Sequence, residues 1–224
     1  MELPALLELL YSATDRSRTV CATVHQVSDQ ARELDLLKAR GLYRDPPQIA
    51  PEEGSWDQSS WGVIEATTRL WAARPHRLRW ETTFTVDGMN ERTSVGVKDR
   101  ELFWQHLDGE IHTNEGREDK STMTTAEELL LDPSQLLGSY RFEIRGATSL
   151  LDRAGWSVAG SRRFGAHAPA FGRFSDELAF VVDEQRGVLL RVAAVVDGEA
   201  LSHSELLEVG FDEDVAPDLF LPLR

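Results

Sequence analysis

The 224-residue sequence has little cysteine, little positive charge and no long apolar run, and each shortage removes a class of protein. Its single cysteine, Cys21, excludes an internal disulfide. No stretch of 18 apolar residues occurs, so no transmembrane segment is expected. Lysine and arginine number 24 against 38 acidic residues, which gives a formal net charge of −14. Because such a field repels phosphates, nucleic acid is not expected as a partner.

Motifs for cofactors, metals and nucleophilic catalysis are missing as well. The sequence contains no P-loop, no G-x-G-x-x-G and no G-x-S-x-G. Its six histidines form no i, i+4 pair and no cluster with cysteine, so no metal site is predicted. Carboxylates and a histidine gather in residues 108–115, where a solvated hairpin tip explains them equally well. We therefore expect no cofactor and no enzymatic activity.

The N-terminus has the pattern of an amphipathic helix. Apolar residues at helical spacing predict a helix over residues 3–16, and they are Leu3, Leu6, Leu7, Leu10 and Tyr11. The same stretch lacks the basic start and the clean cleavage site of a signal peptide. We therefore expect a cytoplasmic protein.

Most of the remaining chain alternates with period two, which predicts β-strands. Strands are predicted at residues 18–27, 62–73, 76–86, 89–97, 101–107, 110–114, 139–146, 155–164, 177–183, 187–196 and 200–211. Turns such as Asp87-Gly88, Asp108-Gly109 and Asp197-Gly198 suit tight hairpins, because Asp and Gly tolerate positive φ. Strands that follow one another directly favour an antiparallel meander over βαβ units.

Two stretches interrupt the strands. Residues 29–60 begin as a charged helix that Gly41 ends, and they continue as a loop rich in proline and acidic residues. A connection of that length is typical of a lid or a mobile segment. Residues 124–138 predict a pair of short helices with a leucine-rich apolar surface.

The strand at residues 76–86 separates an apolar face from a charged one. Leu78, Trp80 and Phe84 share the first face, whereas Arg77 and Arg79 share the second and are expected in solvent. Other strands supply the same inward set, namely Ile64, Ala66, Leu70, Leu102, Trp104, Leu178, Phe180, Val182, Leu190, Val192, Val196, Leu207, Val209 and Phe211. Because that face cannot remain in water, we predict a mainly β (α+β) fold. It is a strongly curved antiparallel sheet, or incomplete β-barrel, whose concave face the N-terminal helix and the central helical pair plug.

Three short motifs make this order of elements resemble the bacterial lipoprotein-carrier (LolA-like) superfamily. They are WAARPHRLRWE at 71–81, GVKDRELFWQH at 96–106 and FVVDEQRGVLLRV at 180–192, each similar to a strand pair or hairpin of that superfamily. The resemblance covers nearly the whole chain and implies one domain over residues 1–224, with helical lids over an apolar cavity. It also implies that Arg74 ties the sheet to the lid and that Leu78 and Trp80 line the cavity.

The sequence leaves two functions open. The first is non-catalytic binding of an apolar ligand, such as a lipid, a fatty acid or a lipidated peptide, in the concavity of the half-barrel. Its predicted lining is Leu70, Leu78, Trp80, Phe84, Trp104, Leu130, Leu137, Phe180, Val192 and Val209. The second is a regulatory or sensor module that docks on a protein partner through its acidic surface and residues 29–60.

Overall fold

The computed structural model describes residues 1–41, 62–74, 77–99, 102–107, 110–113, 126–163, 171–172 and 175–221. The predicted loop at 42–60 and the predicted turn at Asp108-Gly109 lie outside the described residues.

Helices in the described part are short and begin and end at recognisable signals. The α-helices are α1 (Leu3–Tyr11), α2 (Gln30–Ala39) and α3 (Ala126–Leu131), and the 3-10 helices are Ala13–Asp15, Pro133–Leu136 and Pro217–Phe220. Helix α1 ends earlier than predicted, where the Ser12 hydroxyl donates to the Glu8 carbonyl oxygen at 2.8 Å and the chain tightens into a 3-10 turn. Helix α2 begins where the Asp29 carboxylate accepts a hydrogen bond from the Arg32 amide at 2.9 Å. It ends just before Gly41, whose φ is +65°.

All the described strands belong to one antiparallel sheet. They are β1 (Thr19–Asp29), β2 (Val63–Ala73), β3 (Arg77–Val86), β4 (Met89–Asp99), β5 (Leu102–Leu107), β6 (Glu110–Thr113), β7 (Tyr140–Leu150), β8 (Arg153–Arg162), β9 (Glu177–Asp183), β10 (Leu189–Val196) and β11 (Glu199–Phe211). Their spatial order is β6-β5-β4-β3-β2-β1-β11-β10-β9-β8-β7. Two meanders therefore meet where β1 pairs with β11. Among the described strands β6 and β7 each have one neighbour, so the sheet is not closed into a barrel.

Tight turns set the register of both meanders. Asp87-Gly88 and Asp197-Gly198 have positive φ at both residues, as the hairpin prediction required. A third such turn, Leu151-Asp152, was not predicted, because neither residue is glycine. It extends β7 to Leu150 and starts β8 at Arg153, whereas the sequence predicted a gap from 147 to 154.

The main core lies between the sheet and the helices. Buried residues of α1, α3 and the Pro133–Leu136 turn pack against one face of β1, β2 and β8–β11. This is the concave face, and the predicted plugging by helices is confirmed. A second, smaller cluster lies on the opposite face, where Val97 and Trp104 pack with Phe220 of the C-terminal segment. That cover was not predicted.

Candidate functional site

The helical plug fills one half of the concave face. Leu129, Leu130 and Leu131 of α3 are buried, and α3 packs principally against β10 and β11. Leu6 and Leu10 of α1 are completely buried in the same cluster. Side chains rather than open space therefore occupy the region under α3 on the β9–β11 side.

Arg74 joins this plug to the sheet from the end of β2. Its Nη2 donates to the carbonyl oxygen of Leu131, the last residue of α3, at 3.2 Å. Burial lowers the pKa of the Arg74 guanidinium, while the carboxylates of Asp132 and Asp15 oppose that shift. The family resemblance implied that Arg74 ties the sheet to the lid, and that role stays a prediction.

The other half of the concave face presents partly buried apolar side chains from β3. Leu78 and Trp80 are half-buried and pack against the main core. The Trp80 indole lies across Gly96 on β4, because a Cβ at Gly96 would come 2.0 Å from Trp80 Cζ2. Glycine at that position therefore allows the ring to lie flat over the neighbouring strand. Phe84, farther along β3, is half-buried with the Arg92 guanidinium 5.6 Å from its ring centre.

Polar side chains cross the same half of the concave face. Thr68 and Thr82, which are opposite each other on β2 and β3, share a hydrogen bond of 2.9 Å. Thr68 also donates to Glu127 of α3 at 3.4 Å. Farther across the sheet, Lys98 on β4 forms an ion pair of 3.0 Å with Glu128 of α3. Hydrogen bonds and an ion pair thus hold α3 to the N-terminal meander.

Most of the predicted lining residues lie on or against the main core. The predicted lining residues that belong to the main core or pack against it are Leu70, Leu78, Trp80, Leu130, Leu137, Phe180, Val192 and Val209. Whether they bind a ligand stays a prediction.

The prediction that Trp104 lines the concave face was wrong. Its strand pairs with β4 so that Trp104 is opposite Val97, while Gln105 is opposite Gly96 and shares the face of Trp80. Trp104 is therefore on the convex face, where it is buried in the second cluster.

Two further predictions of burial or exposure were wrong. Arg79 is buried instead of solvated, since its Nη1 donates to the Leu219 carbonyl oxygen at 2.9 Å and its Nη2 pairs with Glu81 at 2.7 Å. Arg77 is exposed, as predicted. Leu207 is exposed instead of inward, because a β-bulge in β11 opposite Thr23 and Val24 shifts the alternation by one residue.

A group of polar residues on the convex face of β1 and β11 escaped the sequence analysis. His25 is directly opposite Glu205, and His203 precedes Glu205 by two residues on the same face. Their ligating atoms lie within 4.8 Å of one another. Burial, with Arg191 and His25 nearby, lowers the pKa of His203 below its ordinary value, and Glu205 opposes the shift. The group depends on pairing between the first and last strands, which no local pattern reports.

Comparisons with known proteins bear on the fold. No protein-family profile matches the sequence, and no curated protein matches it. Among solved structures, an uncharacterised conserved protein from Thermus thermophilus is 12% identical with a TM-score of 0.53, over 97% of this chain and 93% of that one. MucB in complex with MucA(peri) is 14% identical with a TM-score of 0.49, over 99% of this chain and 60% of MucB. This chain therefore spans less than two thirds of the MucB length.

A third match is a LolA superfamily protein from Nitrosomonas europaea, 8% identical with a TM-score of 0.34, over 99% of this chain and 98% of that one. At such identities the likeness concerns the fold alone. The observed order of N-terminal helix, strand, first meander, central helices and second meander on an unclosed sheet confirms the predicted fold class, a curved antiparallel sheet plugged by helices. None of the helices in the described residues has the length and hydropathy needed to cross a membrane.

Proposed function

We propose that this protein is a non-catalytic binding protein for an apolar ligand, such as a lipid, a fatty acid or a lipidated peptide. The ligand would lie on the concave face, between β3 and helix α3. The observation that carries this proposal is the half-buried Trp80 indole laid across Gly96, with Leu78 and Phe84 on the same face. Elsewhere on that face Leu6 and Leu10 of α1 and Leu129 and Leu130 of α3 are fully buried.

The energetics of an acyl chain suit such a surface. Each methylene removed from water contributes about 0.8 kcal/mol, so a long chain binds without a specific polar partner. Large aromatic rings supply much contact area at low cost in conformational entropy. The ion pair that connects Lys98 of the sheet to Glu128 of α3 is partly exposed, so water competes for both charges. The hydrogen bond from Thr68 to Glu127 is long, at 3.4 Å. These contacts support a lid movement of α3 that admits the ligand.

The test uses a variant that lacks the indole and keeps the fold. Trp80→Leu combined with Gly96→Ala fills the space over β4 with a smaller pair of side chains. We expect wild-type protein to bind a dansyl-labelled undecanoic acid saturably at one equivalent, and the double variant to bind about tenfold more weakly. Tyr11→Ser, which alters an exposed residue of α1, is the matched control and leaves affinity unchanged.

Native mass spectrometry of protein purified without delipidation gives an independent readout. An added mass that organic extraction removes would support the proposal. The absence of both an added mass and a saturable titration would refute it. The alternative predicted from sequence, docking on a protein partner through the acidic surface and residues 29–60, would then be favoured by a stable complex that forms with no lipid bound.

A further inference from the structure

The junction of the two meanders brings together three side chains that ligate metals. His25 on β1 and Glu205 on β11 are direct cross-strand partners, and His203 is their neighbour on the same face. The ring centres of His25 and His203 are 6.0 Å apart with an interplanar angle of 64°. One ligating atom from each of His25, His203 and Glu205 lies within 4.8 Å of the other two. All three residues are half-buried, so they are accessible to an ion from solvent.

This ligand set and spacing fit a transition-metal ion. Imidazole nitrogens and a carboxylate oxygen bind Zn²⁺ at about 2.0–2.2 Å, which places tetrahedral ligand atoms about 3.4 Å apart. Side-chain rotations that move the ligating atoms by about 1 Å would bring them to that spacing. Because the backbone positions are fixed by the β1–β11 ladder, these rotations require no rearrangement of the sheet.

Two neighbours bear on the affinity of the site in opposite directions. Glu65 on β2 lies 3.0 Å from His25, measured from its Oε1 to the ring Nε2. The ion would therefore bind His25 through Nδ1, and Glu65 would orient the ring from the other nitrogen. Arg191 on β10, directly opposite Glu205, has its Nε 3.8 Å from the Glu205 Oε2. The guanidinium competes with a cation for this carboxylate.

We propose that His25, His203 and Glu205 form a binding site for a divalent transition-metal ion, with Zn²⁺ as the fitting ion. Three protein ligands leave a fourth position for water or for a group from another molecule. The bound ion joins β1 to β11 and therefore cross-links the N-terminal and C-terminal meanders. The net charge of −14 favours accumulation of cations at the surface.

Zinc titration of tag-free protein, stripped with a chelator and exchanged into a non-coordinating buffer, tests the site. We expect one equivalent of Zn²⁺ to bind wild-type protein and to raise its melting temperature. His203→Ala lowers the affinity by at least about 100-fold, and Glu65→Gln lowers it by about tenfold. The matched control is His106→Ala, since His106 lies on β5, well away from the β1–β11 junction, and this variant binds as wild type does.

A gain of affinity separates the proposal from general damage to the fold. Arg191→Gln removes the competitor of the metal for Glu205, so zinc binds more tightly than to wild type. Co²⁺ in place of Zn²⁺ should give visible absorption of a four-coordinate site in wild type and lose it in His203→Ala. The proposal is overturned if zinc binds His203→Ala and wild type equally, if Arg191→Gln weakens binding, or if wild type binds no zinc.

Discussion

The contact between Trp80 and Gly96 gives a prediction in which one substitution reverses the effect of another. In Gly96→Ala the new Cβ would lie 2.0 Å from Trp80 Cζ2 and 2.2 Å from Cε2. Carbon atoms pack at about 3.5–4.0 Å, so the indole must move by roughly 1.5–2 Å or the strands must separate. Overpacking of this kind costs about 1–3 kcal/mol of the free energy of unfolding.

The cost should disappear once the ring is removed. In a Trp80→Leu background the Cβ meets no indole, and alanine in a strand is favoured over glycine by about 0.5–1 kcal/mol. Gly96→Ala should therefore be neutral or stabilising there. The coupling energy of the double-mutant cycle is then about 1–4 kcal/mol.

Urea unfolding of the four proteins, followed by circular dichroism, measures each free energy of unfolding by linear extrapolation. The cycle is read as the difference between the effects of Gly96→Ala in the two backgrounds. Equal costs in both backgrounds would refute the reasoning, because the indole would then not occupy the space over Gly96. A stabilising Gly96→Ala in the wild-type background would refute it as well.

Three further predictions follow from burial and charge. Leu130→Ala should lower the free energy of unfolding by about 2–5 kcal/mol in urea unfolding, because the completely buried side chain leaves a cavity under α3. Phe220→Ala should lower the free energy of unfolding by about 3 kcal/mol, because the Phe220 ring is buried on the convex face. Leu221→Ala should lower it by less than about 0.5 kcal/mol, because the Leu221 side chain is exposed. The Arg18 amide and the Arg186 guanidinium lower the pKa of Asp212. Asp212 therefore stabilises the fold above about pH 4, an effect lost as the pH falls through the lowered pKa, and Asp212→Asn should flatten the acid limb of a melting-temperature profile.

The periodicity of the sequence predicted the strands because one face of each strand is buried. Periodicity could not say which face of a strand points inward where both alternating sets of residues contain large apolar side chains. Strand β5 has Trp104 in one set and Phe103 in the other, so period two alone does not say which set faces the helices. The register with β4 decides it, since Trp104 is opposite Val97 on the convex side. Bulges such as the one that exposes Leu207 are equally invisible to a fixed period.

Other features depend on contacts between distant parts of the chain. The C-terminal segment carries the apolar residues Val215, Leu219 and Phe220, which join the cluster on the convex face, but its acidic residues concealed that signal in the sequence. Its cover over the convex face also explains why Arg79 is buried. The group formed by His25 and His203 arises because the first strand pairs with the last, at the far end of the sequence.

The two kinds of contact that α3 makes indicate the direction in which a lid would open. Its leucines are buried in the core on the β10 and β11 side, and removing each from that core costs several kcal/mol. Toward β2 and β4 it is held by the contacts Lys98–Glu128, Thr68–Glu127 and Arg74–Leu131. The Lys98–Glu128 pair is partly exposed and contributes about 1 kcal/mol or less. The two hydrogen bonds, each with a charged partner, contribute at most about 1.5–3 kcal/mol each, which is less than the buried leucines contribute together. Helix α3 should therefore separate from the N-terminal meander while its leucines stay anchored, which opens the concave face beside Trp80.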